Sequence, residues 1–177
     1  MINEMEMKSS FSALILAGGK SERMGFPKPW LKKNKNATFL ADIISVYRQI
    51  GIKNVIVVLN KTFATSKWKK EVAEIQKRAI LILNADAEKG RLHSIRLGLK
   101  ACSSEHIFIH NVDNPYVESE VLEQLIINAS NSRATIPSYN GKGGHPVIID
   151  SYIKNEIIKN YNNYNTNFCT FVGSLLR

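Results

Sequence analysis

The sequence predicts an α/β fold: one doubly wound, mostly parallel sheet with helices on both faces. Three observations predict it. Apolar runs of strand length recur at residues 11–17, 55–59, 79–83 and from 107. Stretches with apolar residues at helical spacing separate them. The runs are apolar at successive rather than alternate positions, which marks strands covered on both faces, as parallel sheets require.

Residues 1–10 are expected as a loosely ordered lead-in to a single domain spanning 1–177. The run 11–17, Phe-Ser-Ala-Leu-Ile-Leu-Ala, stops at Gly18-Gly19 and reads as the first strand. Apolar residues at 40, 43, 44, 47 and 50 form one helical stripe, and Gly51 is placed to end it. A second strand follows at 55–59, a helical stretch at 66–77 and a third strand at 79–83. Leu92, Ile95 and Leu99 mark the next helix, and residues 107–109 begin a fourth strand. Val121, Leu122, Leu125, Ile126 and Ala129 form another stripe. Residues 134–137 and 146–149 read as further strands, and 152–161 as a late helix. The alternation is Rossmann-like, and such sheets bind ligands at the carboxyl ends of their strands. The segments after residues 17, 59, 83 and 110 are therefore where function is sought.

Composition narrows the function classes. The 177 residues carry 24 Lys+Arg against 15 Asp+Glu, a net charge of +9, with a pI near 9.6. A polyanionic partner is implied: nucleic acid, an anionic membrane or a phosphorylated small molecule. The start has two acids and no apolar run of signal-peptide length, and no run approaches the roughly 20 residues of a spanning helix. A cytoplasmic location without membrane contact is expected. Cys102 and Cys169 cannot form a disulfide framework or a four-ligand zinc site by themselves. Cys102 is expected to pack, and His93, His106 and His110 have no ligand spacing with the cysteines. The basic run Lys67-Trp68-Lys69-Lys70 fits a solvated helix face with Trp68, Val72 and Ile75 turned inward. No nucleic-acid motif accompanies it, so nucleic acid is not an expected partner.

The loop after the first strand reads Leu16-Ala-Gly-Gly-Lys-Ser-Glu-Arg-Met-Gly-Phe-Pro-Lys28. Paired glycines let backbone N–H groups approach an anion. The dinucleotide fingerprint and the Walker A pattern are both absent. With Arg23 and Lys28 in the same loop, anion binding is favoured over a plain tight turn.

The pattern Leu16-Ala17-Gly18-Gly19-x-Ser21-x-Arg23-Met24-Gly25-x-x-Lys28 resembles the signature loop of nucleotidyltransferases related to the molybdenum-cofactor guanylyl- and cytidylyltransferases. Asn84 through Gly90-Arg-Leu-His-Ser94 to Gly98-Leu99 is similar to the family's base- and ribose-holding segment. Val112-Asp113-Asn-Pro115 resembles its metal-binding aspartate turn, and Gly143-Gly-His145-Pro146-Val147 its Gly-His-Pro segment. The resemblance covers roughly 12–150, in the family's order. It implies a nucleotide site built from Leu16, Ala17, Gly18, Gly19, Ser21, Arg23, Lys28, Asn84, Gly90, Ser94 and His145. It also implies Arg23, Lys28 and Asp113 as catalytic residues, Asp113 as the Mg2+ ligand, and His145 on the acceptor side. The expected partners are a nucleoside triphosphate, a phosphorylated small-molecule acceptor and an enzyme that uses that acceptor. Read from the residues alone, Asp113 before Asn114-Pro115 also fits a turn residue, Ser94 a helix cap and Asn84 a strand-end turn.

The chemistry agrees with these residue types. Nucleotidyl transfer joins an acceptor phosphate oxygen to the α-phosphorus of a triphosphate and releases pyrophosphate. The acceptor is already ionised near neutral pH, so the demand is charge neutralisation and in-line placement, not a protein nucleophile. Arg23 and Lys28 suit the first task. Asp113 suits Mg2+, which uses one or two carboxylates beside phosphates and water. Two features depart from the pattern. The cytidylyl branch has a later Gly-Asp acid, whereas here Asp150 is the last aspartate and Glu156 the last acid. Gly18 is guanylyl-like, while residues 84–99 and the Gly-His-Pro are cytidylyl-like, which tips the expectation narrowly to CTP. The acceptor is open among molybdopterin, sugar phosphates and polyol phosphates. The alternative is a catalytically degenerate nucleotide-binding regulator or chaperone.

Overall fold

A computed structural model describes residues 4–21, 24–130, 132–160 and 168–175. The elements in chain order are α1 (Glu4–Ser9), β1 (Phe11–Ala17), α2 (Phe39–Gln49), β2 (Asn54–Asn60), α3 (Lys69–Gln76), β3 (Ile80–Asn84), α4 (Arg91–Leu99) and β4 (His106–Asn111). They continue with α5 (Ser119–Ala129), β5 (Ala134–Thr135), β6 (Ser138–Tyr139), β7 (Lys142–Gly143), β8 (Val147–Asp150), α6 (Ser151–Asn160) and α7 (Phe168–Leu175). The lead-in thus includes a short helix.

Six strands form one sheet in the order β3-β2-β1-β4-β8-β5, and β6 pairs with β7 as a separate small hairpin. β1 to β4 run parallel. β8 runs antiparallel to both β4 and β5. The sheet is therefore doubly wound and mostly parallel, as the sequence predicts. The chain turns one way from β1 to β2 and β3, then crosses to the other side of β1 for β4. A crevice opens at the carboxyl ends of strands where the order reverses, and here that point lies between β1 and β4.

Both faces of β1 are buried. Ala13, Ile15 and Ala17 join Leu40, Ile43, Ile44 and Tyr47 of α2 and Leu122, Leu125 and Ile126 of α5. Leu14 and Leu16 join Ile95 and Leu99 of α4, Ile153 and Ile157 of α6, and Phe168 and Val172 of α7. The cover thins at β3, where Ile80 and Leu83 are exposed. Periodicity alone cannot distinguish an edge strand from a central one when both are apolar throughout.

Local chemistry sets the element ends. Thr38 Oγ1 accepts the Ala41 N–H at 3.2 Å and caps α2. Asp42 in the first turn of α2 pairs with Lys33 at 2.6 Å. The strand expected over 134–137 is cut short, because Pro137 has no N–H for a ladder. The helix expected from residue 66 begins with a 3-10 turn, Ser66–Trp68, before α3. Its Trp68 ring stacks on Trp30 at 5.9 Å and meets Phe26 edge-on at 5.4 Å. The aromatic in the basic run is thus packed inward, as expected.

α4 lies close against β1. A side chain at Gly98 would overlap the Leu14 methyl groups, so glycine is what permits the approach. That approach brings the start of α4 up to the loop after β1. None of the helices among the described residues is long and apolar enough to cross a membrane.

Candidate active site

A cleft of about 360 Å³ opens at the carboxyl ends of β1 and β4. Its walls are Leu16 to Gly19, Ser21, Lys28 and Pro29 from the first loop, Ala87, Gly90, Arg91 and Ser94 from the start of α4, and Asn111, Val112 and Asp113 from the end of β4. Three chain segments far apart in sequence are joined there by strand order. Nine of the site residues expected from sequence line this cleft: Leu16, Ala17, Gly18, Gly19, Ser21, Lys28, Gly90, Ser94 and Asp113. Arg23 lies outside the described residues.

The first loop is held at both ends. Ser21, at φ 55, accepts the Lys28 backbone N–H on Oγ at 3.2 Å, and its carbonyl accepts the Met24 N–H at 3.1 Å. Trp30 then anchors the loop in the core, its Nε1–H donating to the Phe63 carbonyl at 3.1 Å. Between these anchors Lys28 reaches across the cleft. Its Nζ lies 3.4 Å from Asp113 Oδ2, and both side chains are partly exposed. Such a pair contributes only ~0–1 kcal/mol to stability. It stores opposite charges at the mouth of an anion-sized cleft rather than holding the fold together.

Asn84 and Ser94 act together. Asn84, buried at the end of β3, donates from Nδ2 to Ser94 Oγ at 3.0 Å and accepts the Asp86 N–H at 2.9 Å. Asn84 is absent from the lining and reaches the cleft through Ser94. A methyl group at Gly18 would stand 2.8 Å from Ser94 Oγ. Gly18 is therefore coupled to the Asn84–Ser94 pair.

His145 sits behind the α4 side. Asn111 Nδ2 donates to its Nε2 at 3.2 Å, and Arg91 Nη2 lies 3.5 Å from the same nitrogen. Burial, then the Arg91 charge, holds the His145 pKa below the ordinary value. A neutral ring accepting at Nε2 follows. Arg91 and Asn111 are site residues that the sequence reading missed. Both had a local signal, since Arg91 directly follows Gly90 and Asn111 stands two residues before Asp113.

Among the described residues Asp113 is the carboxylate that lines the cleft. Among the described residues no three His, Cys, Asp or Glu side chains cluster as a metal cage. Asp150 and Glu156 are engaged elsewhere. Asp150 pairs in register with His106, at the opposite end of β4 from Asn111, and accepts the Ile153 N–H at 2.8 Å. Glu156 accepts from Asn160 at 2.8 Å. Cys102 is buried, its thiol pushed up to about 12 by burial, and it donates to the Gly98 carbonyl at 3.4 Å. It packs, as expected.

The family model described as the MobA-like NTP transferase domain matches residues 13–165. The chain belongs to this family. It is 28% identical over 144 residues to a probable molybdenum cofactor guanylyltransferase of Methanosarcina mazei, covering 80% of this chain and 64% of that protein. It is 27% identical over 148 residues to the molybdenum cofactor cytidylyltransferase of Escherichia coli, covering 80% and 70%. A Mycobacterium tuberculosis protein solved as a complex with manganese superposes with a TM-score of 0.67 at 20% identity, over 84% of this chain and 75% of that one. The last likeness speaks to the fold alone. The chain spans less than two thirds of the length of the Methanosarcina relative.

Proposed function

We propose that the protein is a divalent-metal-dependent nucleotidyltransferase that moves a nucleoside monophosphate from CTP, in preference to GTP, to a phosphorylated small-molecule acceptor. Molybdopterin is the first acceptor to test. The observation that carries this reading is the Lys28–Asp113 pair facing the Gly18-Gly19 backbone at the β1–β4 switch point. Family membership and the names of the relatives support the same chemistry.

In this reading the triphosphate lies along the loop 16–28, where backbone N–H groups and Lys28 offset its charge. Lys28 leaves Asp113 for the phosphates, and the freed Asp113 carboxylate is the group that would hold a divalent ion. Among the described residues Asp113 is the half-exposed carboxylate lining the cleft, which fits Mg2+, an ion that would use one or two carboxylates beside phosphates and water. When bound, the ion offsets charge on the phosphates and so eases departure of pyrophosphate. The base sits toward Gly90 and Ser94. The acceptor approaches from the side of Arg91, Asn111 and His145, and its phosphate oxygen bonds to the α-phosphorus as the bond to pyrophosphate breaks. Precise placement of groups is the protein's main contribution to such a reaction.

The test is direct. Purified protein is incubated with CTP or GTP, Mg2+ and a panel of phosphorylated acceptors, and released pyrophosphate is measured. Turnover with CTP that depends on acceptor and is lost in Asp113→Asn is expected. A second reading, a nucleotide-binding regulator without turnover, is favoured by one observation: the late acids Asp150 and Glu156 are committed to the fold. Tight CTP binding with no pyrophosphate from any acceptor, and indifference to Asp113→Asn, would select it.

A further inference from the structure

Two buried polar rings on the α2 side of the sheet have no part in the reading above. Tyr47 of α2 and His110 of β4 are both fully buried. Tyr47 Oη donates to His110 Nδ1 at 3.0 Å, and His110 Nε2 lies 2.9 Å from the Asn114 carbonyl. A carbonyl can only accept, so Nε2 carries the proton; burial favours the uncharged ring, in which Nδ1 accepts from the Tyr47 hydroxyl. The two rings meet edge-on at 5.6 Å. In an apolar core such a pair costs free energy unless its bonds are made. Two apolar rings would fill the same space, but they would leave the Asn114 carbonyl without this donor.

That carbonyl is at a sensitive place. The Asn114 N–H donates to the Asn111 carbonyl at 3.0 Å, closing a turn that hangs from the end of β4. Asp113 lies inside this turn and faces Lys28. Pro115 follows and has no N–H to help hold the segment. One end of the turn is therefore fixed by the sheet, and the other by His110.

We propose that His110 is a positioning residue for the metal-binding carboxylate: its Nε2–H clamps the Asn114 carbonyl and so sets where Asp113 presents its oxygens. The inference rests on Asp113 being the carboxylate that receives the metal. Groups that orient a metal ligand from behind are commonly worth about 10–100-fold in metal affinity or activity.

Two substitutions separate positioning from simple packing. His110→Gln places an amide donor where Nε2 was, within reach of Asn114. His110→Asn places an acceptor where Nδ1 was, within reach of Tyr47, but is too short for Asn114. Both remove a buried ring and should lower the melting temperature similarly. Mn2+ binding is followed by water-proton relaxation with CTP present and no acceptor, so turnover does not enter. The Asn variant should bind Mn2+ about tenfold more weakly than wild type, and the Gln variant within about threefold of it. Equal affinities in the two variants, or a weaker Gln variant, would overturn the inference. Should either variant fail to fold, Tyr47→Phe keeps the Asn114 bond; it should melt earlier yet bind Mn2+ within about threefold of wild type, and a tenfold loss there overturns the clamp. Wild-type protein that shows no Mn2+ binding with CTP overturns the assignment of Asp113 itself and this inference with it.

Discussion

At the N-terminal end of β4, His106 stacks on Phe11 at 5.0 Å, and its register partner Asp150 accepts the Ile153 N–H that opens α6. Beside them Asn54 donates to Ser12 Oγ and Ser12 to Ser104 Oγ, both at 2.7 Å. At the C-terminal end of the same strand stand Asn111, Asp113 and, across the cleft, Lys28 and His145. His, Asp and Asn stand at both ends, but their partners differ. The first end turns its Ser, Asn and Asp side chains onto one another and onto the start of α6, so they serve the fold. The second end leaves a carboxylate and an ammonium partly exposed at 3.4 Å around an open volume. Polar residues at a strand end are therefore informative only with their partners known, and the parallel topology decides which end stays open.

Substitutions can break this contrast. The largest effect is expected at the open end: Asp113→Asn and Lys28→Ala should each lower pyrophosphate release by about 10²–10³-fold, with melting temperature nearly unchanged. Calorimetry beside the turnover assay checks both halves.

The next effect is on pH dependence. Burial lowers the His110 pKa from 6.5 to about 4, with the Asn114 bond and the Asp113 charge opposing and the His145 charge adding to the shift. Between those pH values the unfolded chain takes up a proton that the folded chain refuses. Stability therefore falls as pH is lowered through that window, by on the order of 3 kcal/mol. Urea denaturation from pH 7 to 4 should show most of this slope lost in His110→Gln.

Two smaller effects sharpen the comparison. Asp150→Ala removes the acceptor at the start of α6 and should cost ~1 kcal/mol, a fall of about 2–4 °C in Tm. Its turnover should stay at the wild-type level, the reverse of Asp113→Asn. Gly18→Ala pushes on Ser94 Oγ and its Asn84 bond, and should raise the KM for CTP about fivefold, worth ~1 kcal/mol. Steady-state kinetics with CTP reads this directly.

Much of this arrangement was legible from the chain. Phe11–Ala17 was readable to the residue because an apolar run ends abruptly at two glycines. The stripe at 40, 43, 44 and 47 exposed α2, and those four residues are the ones it buries. The site segments could be ordered along the chain because each follows a strand. Other features had no local signal. The His145–Asn111 and His145–Arg91 contacts join residues 34 and 54 positions apart. Nothing in the residues 146–149 distinguishes a parallel strand from the antiparallel β8. Tyr47 looked like one more apolar position of α2, and only the placement of β4 beside it reveals its hydroxyl's partner. The helix α7 was missed because its apolar residues follow a polar Asn-rich stretch and had no neighbouring pattern to join.

The stacked Trp30 and Trp68 have one further consequence. They are the only two tryptophans in the chain, and Trp30 stands two residues after Lys28 on the loop that closes the cleft. Intrinsic tryptophan emission of the native protein therefore comes from one stacked indole pair at the edge of that loop. A change in that emission when CTP is added is the expected optical sign that the cleft has filled, with no reporter added.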